Sequence, residues 1–146
     1  MSLLERVQAD VTAAMKGGDR ERVGALRLVV SELQKAHKEA AVGEADEVAV
    51  LQRERKRRLE SAAAYRDGGR DDLAEGEERE AELIQAYLPE QLSDDELHAI
   101  VGDAVAETGA SSPQEMGRVM SVVMPRVGGR ADGKRVSALV REKLTA

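Results

Sequence analysis

A chain of 146 residues with no Phe, Trp or Cys, and with Tyr65 and Tyr87 as its only aromatic residues, must assemble any core from Leu, Val, Ala, Ile and Met. That palette suits helix packing, because sheets draw on aromatic and β-branched side chains to fill a pleated surface. The length allows one ordinary domain or two small ones, each with a real core. The lack of cysteine removes disulfides, thiol nucleophiles and thiolate metal ligands together, and fits a reducing compartment. Met1 to Met15 alternates charged and apolar residues at helical spacing instead of forming the unbroken apolar run of a signal peptide or membrane span. A cytoplasmic location is therefore expected.

Helical periodicity divides the chain. Leu3, Leu4, Val7, Val11, Ala14 and Met15 recur at helical spacing behind a Ser2-x-x-Glu5 capping box, and Gly17-Gly18 ends that helix. Asp19 caps a second helix, in which Val23, Leu26, Val30, Leu33 and His37 keep a seven-residue repeat until the signal fades near Gly43. A third helix is predicted from about Asp46 to Arg66, closed by Gly68-Gly69, and a fourth from about Asp71 to Leu88, closed by Pro89. These two read as an antiparallel pair. Ser93 and Glu96 make a second capping box, ahead of a helix that turns Leu97, Ile100, Val101, Ala104 and Val105 inward and ends at Gly109.

Ser112-Pro113-Gln114-Glu115 opens a sixth helix with Met116, Val119, Met120, Val123 and Met124 as its apolar face. After Gly128-Gly129 a last helix starts near Asp132 and buries Val136, Leu139, Val140 and Leu144. No segment alternates as a strand does. The expected fold is all-α: a multihelical N-terminal domain of about four helices over residues 1–92, then a small three-helix domain over residues 93–146, with the boundary between Pro89 and Ser93.

Two places break the apolar pattern. Projected at 100° per residue, Arg55 falls within the stripe of Val48, Leu51, Leu59 and Ala62, while Glu77 and Glu80 fall among Leu73, Ile84, Tyr87 and Leu88. In an antiparallel pair these charges face each other, and a structural ion pair that fixes register is the favoured reading. The alternative is an anion-binding face made of Arg53, Arg55, Lys56, Arg57 and Arg58, which has no aromatic stacking partner within it. Glu77, Glu78, Glu80 and Glu82 lack the Glu-x-x-His partners of a bundle metal site, since His37 and His98 stand elsewhere, so neither metal nor cofactor is expected.

The second place is the tail. Net charge is -6, yet Ser93 to Glu115 holds six acids and no base, whereas Met116 to Ala146 holds seven bases against two acids. With Asp132 as N-cap, Lys134 and Arg135 occupy the first turn of the last helix, where the helix dipole disfavours cations. A phosphate held by Arg130, Lys134 and Arg135, with Gly129 and Gly133 beside it and Arg118 nearby, offsets that cost. From spacing alone the favoured reading is ordinary capping with solvated bases, because the Gly-Lys-Ser/Thr ending of a Walker loop is missing. No nucleophile elbow, no base beside a nucleophile and no dinucleotide fingerprint occurs, so no catalytic residue is assigned.

Several motifs together resemble the YqeY family along nearly the whole chain. They are Ser2-Leu3-Leu4-Glu5-Arg6, Ala14-Met15-Lys16, Leu26-Arg27, Gly69-Arg70-Asp71-Asp72-Leu73 and Tyr87-Leu88-Pro89-Glu90-Gln91-Leu92-Ser93. Most specific is Met116-Gly117-Arg118-Val119-Met120, followed by Met124-Pro125 and Gly129-Arg130-Ala131-Asp132-Gly133-Lys134. The resemblance implies a multihelical domain and a three-helix domain similar to the tail of GatB, the subunit of glutamine-dependent aspartyl/glutamyl-tRNA amidotransferase whose tail contacts tRNA. It also implies carbon-nitrogen ligase activity with glutamine as amido-N-donor, although this chain has no counterpart of the catalytic GatB portion and no amidase Ser-Lys signature. Met116, Gly117, Met120, Arg130, Asp132, Gly133 and Lys134 match the shared tail motif, and Gly128 stands where relatives often carry Lys. The expectation is a noncatalytic accessory protein that binds tRNA or another RNA. The alternatives are an adaptor within a protein complex and participation in amide transfer.

Overall fold

The computed structural model describes residues 1–40 and 46–145, which form helices and turns with no strand among them. The expected fading of the second helix near Gly43 lies outside the described residues. The chain is all-α, and it divides into two compact units, Met1–Leu88 and Pro89–Ala146. No described helix is long and apolar enough to cross a membrane.

The first unit contains α1 (Leu3–Lys16), α2 (Arg20–Glu39), α3 (Glu47–Asp67) and α4 (Asp71–Gln85). Ser2 accepts a hydrogen bond from the Glu5 N–H, but the reciprocal half of the expected capping box is replaced from a distance: the Glu47 carboxylate accepts the N–H groups of Leu3 at 3.3 Å and Leu4 at 2.8 Å. An anion at a helix N-terminus is favourable wherever in the chain it comes from. The α3 and α4 hairpin turns at Gly69, whose φ of 77° lets the Arg70 N–H reach back to the Tyr65 carbonyl at 2.7 Å. Val7, Leu26, Val29, Leu33, Val50, Leu51, Ile84 and Tyr87 make the core, and burying each such Val or Leu contributes about 1.5–3 kcal/mol.

Two expectations for this unit are corrected. His37 is not on the packed stripe: it is exposed, with Nε2 3.2 Å from a Glu47 carboxylate oxygen. In α3 the buried stripe runs through Val50, Leu51, Glu54, Arg58 and Ala62, while Leu59 is 38% exposed. The helix is rotated from the predicted phase because Glu54 and Arg58 neutralise each other inside, so a projection that follows hydrophobes alone picks the wrong face.

The second unit contains α5 (Asp94–Thr108), a 3₁₀ turn (Pro113–Glu115), α6 (Met116–Val127) and α7 (Gly133–Thr145). The Ser93 and Glu96 capping box is complete, and the Glu115 carboxylate accepts the N–H groups of Ser111 and Ser112 ahead of α6. Leu97, Val101, Ala104, Val119, Val123, Val127, Val136, Leu139, Val140 and Leu144 pack together, and Leu92, expected in the first domain, packs with them. The α6 stripe centres on Val119, Val123 and Val127, with Met116 and Met120 on its flank and Met124 at its edge, 39% exposed.

Candidate nucleic-acid interface

The tail cations are placed by the end of α6 and the start of α7. Gly128 and Gly129 have φ values of 55° and 81°, a left-handed reversal that stops α6 and turns the chain sharply. Arg130 follows, and its guanidinium folds back on the helix just left: Nε donates to the Val127 carbonyl at 3.1 Å and Nη2 to the Arg126 carbonyl at 2.8 Å. Arg130 thus satisfies free carbonyls at the negative end of the α6 dipole. Its own carbonyl accepts the Leu92 N–H at 2.8 Å, which ties this turn to the segment entering α5.

Arg135 is likewise engaged. Its Nη1 donates to the Leu92 carbonyl at 3.2 Å and its Nη2 to the Asp94 carboxylate at 2.5 Å. Asp132 accepts the Lys134 N–H at 3.0 Å. The cost of a cation in the first turn of α7 is therefore offset by carboxylates of this same unit, one from Asp132 and one brought in by α5. Arg118 donates to the Thr108 carbonyl at 2.8 Å and to Glu115 at 3.0 Å, bracing the C-terminus of α5. Gly129 is half-buried, and Gly133 is exposed with open space where a Cβ would stand, so Gly133 forms no tight cradle for an anion.

Of the predicted contact residues, Lys134 is the one whose side chain is exposed without a partner among the described residues. One residue outside that set joins it. Arg141 is seven positions on, on the same side of α7, exposed and without an ion pair among the described residues. Ser137 and Ala138 lie between them, so two exposed cations, about 10 Å apart along the helix, flank a strip of short side chains. The seven-residue spacing was visible in the sequence, but nothing there separated Arg141 from bases that fold back on the protein. A shallow groove of about 210 Å³ next to this face is lined by Asp94, Leu97, His98, Arg135, Ala138, Leu139 and Glu142.

In the first unit the expected bridge between helices exists with a different arginine. Arg58, nearly buried, donates from Nε to Glu80 on α4 at 3.1 Å and holds the fully buried Glu54 at 3.2 Å through Nη1. Glu54 also has Arg57 at 3.3 Å. Burial pushes the Glu80 carboxyl up, with Glu77 adding to the rise and Arg58 opposing it. Arg55, one turn away from Arg58 and half-buried, forms no ion pair among the described residues, and Glu77 pairs with no cation there. Rotation of α3 by the Glu54 and Arg58 pair is what moves Arg55 off the buried stripe.

Nor did periodicity reveal the contact that ends this unit. The buried Tyr87 donates its hydroxyl to the Asp10 carboxylate, and the Arg6 guanidinium lies 5.4 Å from its ring centroid. Burial, reinforced by Asp10, pushes the phenol up to about 12, so it stays a donor across the ordinary pH range. Among the described residues, no three His, Asp or Glu side chains converge closely enough to hold a metal ion.

Residues 4–144 match the family model described as Yqey-like protein. A relative from Pyrenophora tritici-repentis (strain Pt-1C-BFP), altered inheritance of mitochondria protein 41, mitochondrial, is 28% identical over 149 residues, an alignment that covers 99% of this chain and 82% of the relative.

Proposed function

The chain belongs to the YqeY-like family, and from that premise we propose that it is a noncatalytic accessory protein whose tail unit binds the phosphate backbone of tRNA or another RNA. Likeness of its tail motif to the tRNA-contacting tail of GatB supports this reading. The observation that carries it is the α7 face on which Lys134 and Arg141 stand exposed and unpaired among the described residues, separated by Ser137 and Ala138. Short side chains let a polyanion approach closely, and unpaired cations release counterions on contact without breaking internal bonds. Arg118, Arg130 and Arg135 serve this surface as braces, because each is held by carbonyls or carboxylates of its own unit.

The two roles separate in one titration. Lys134→Ala with Arg141→Ala is expected to weaken binding of labelled tRNA about tenfold at low salt and to flatten the dependence of log affinity on log salt by about 1.5 to 2, the loss of two phosphate contacts. Arg130→Ala is expected instead to lower stability by about 1 kcal/mol, read as a shift in urea midpoint, and to leave that salt slope nearly intact. Wild-type protein that binds tRNA no better than an unrelated acidic protein sinks the reading.

A further inference from the structure

The α3 and α4 hairpin carries an internal contradiction in charge. Its first helix holds six bases against four acids, and its second holds seven acids against one base. Contacts across the hairpin use part of this: Arg58 with Glu80, and Arg66 with Glu78 and Asp71. Arg55 and Glu82 are left without ion pairs among the described residues, and both line one groove of about 300 Å³ with Leu59, Glu78, Ala81 and Gln85. Leu59 leaves 38% of its surface in water. A cation, a carboxylate and an apolar side chain therefore share one face.

We infer that this face is an interface between two copies of the chain. Arg55 and Glu82 line the same groove, at one level of the hairpin. A two-fold axis running along that groove lays the basic α3 on the partner's acidic α4, and sets Arg55 against the partner's Glu82 twice over, as an isologous contact requires. The five donors of each guanidinium suit the partner's carboxylate in a two-pronged contact. Leu59 gives the contact its apolar centre. The overlap is set by α4, whose 15 residues run about 22 Å, so two helices side by side offer roughly 450 Å² per copy and about 900 Å² in total, in the range of weak, transient contacts. The dimer is accordingly a micromolar, salt-sensitive one. It does not depend on the RNA reading, which concerns the other unit.

Sedimentation equilibrium of the full chain at low salt, carried into the hundred-micromolar range, tests the inference. Wild type is expected to dimerise, and Arg55→Glu or Glu82→Arg alone to weaken the dimer at least about tenfold by setting like charges together. Mixing the two single variants restores pairing, because each supplies the charge the other lacks, and this recovery cannot come from misfolding. Wild type that stays monomeric throughout, a dimer indifferent to both substitutions, or a mixture that fails to pair overturns it.

Discussion

Arg58→Ala is expected to destabilise the protein by about 3–5 kcal/mol, the cost of leaving a buried carboxylate without its counter-charge. The fully buried Glu54 depends on the Arg58 guanidinium at 3.2 Å, and the partly exposed Arg57 at 3.3 Å is a poor substitute. Glu80 loses the same partner. Arg55→Ala, one turn nearer the N-terminus, is expected to cost under about 0.5 kcal/mol, since that side chain is half-buried and pairs with nothing among the described residues. Urea unfolding of the two variants separates the buried bridge from its half-buried neighbour. Replacing the charges together, Arg58→Met with Glu54→Leu, should recover much of the loss, because a buried ion pair can give way to packed hydrocarbon at little net cost.

The pH dependence of Arg58→Ala has a definite sign. In the folded protein the Glu80 carboxyl sits above its ordinary value, chiefly through burial, while Arg58 pulls it down. A raised folded value means that the group favours the folded state fully at pH below its unfolded pKa, and that this contribution is lost as pH rises through the folded value. Without Arg58 the folded value climbs further. The deficit of Arg58→Ala relative to wild type is therefore expected to be smaller near pH 5 than near pH 8, and an equal deficit at both would place Glu80 outside the bridge.

Why the sequence revealed some of this and not the rest follows from where the partners come from. α5 and α7 were legible because their signals are local: Ser93 and Glu96 cap one, and Val136, Leu139, Val140 and Leu144 form the buried face of the other. α3 was legible as a helix but not in its rotation, since an ion pair at positions 54 and 58 occupies the stripe where hydrophobes are sought. The tail misled in a related way. Counting Lys134 and Arg135 against the dipole of α7 suggested a missing anion, yet Asp94 lies 41 residues from Arg135 in sequence and supplies it. Arg130 spends its charge on carbonyls, groups that every residue carries and no motif displays. Of the predicted tail cations, Lys134 alone is exposed with no side-chain partner among the described residues, and the fold sets the exposed Arg141 seven positions on along the same helix.

The same lesson makes Glu47 the residue whose removal should matter more than its position suggests. It opens α3, where an acid is ordinary, but its carboxylate accepts the Leu3 and Leu4 N–H groups of α1 and meets His37 of α2, so one side chain closes three helices at one end of the first unit. Hydrogen bonds to a charged group contribute about 1.5–3 kcal/mol where they are shielded, and part of this loss is made good by water reaching the freed N–H groups, so Glu47→Ala is expected to cost about 2–3 kcal/mol. Glu47→Gln keeps an acceptor and should cost less. Burial raises the Glu47 carboxyl, but the N–H of Leu4, His37 and the N–H of Leu3 together outweigh it and hold it below the usual carboxylate value. A depressed folded value contributes stability above the unfolded pKa and loses it as pH falls through the folded value. Wild type should therefore lose stability relative to Glu47→Ala as the solution is acidified below about pH 4.5, the two unfolding curves converging there. Hydrogen exchange at Leu3 and Leu4 supplies the local readout: if those amides exchange no faster in Glu47→Ala at neutral pH, the clasp is not holding α1.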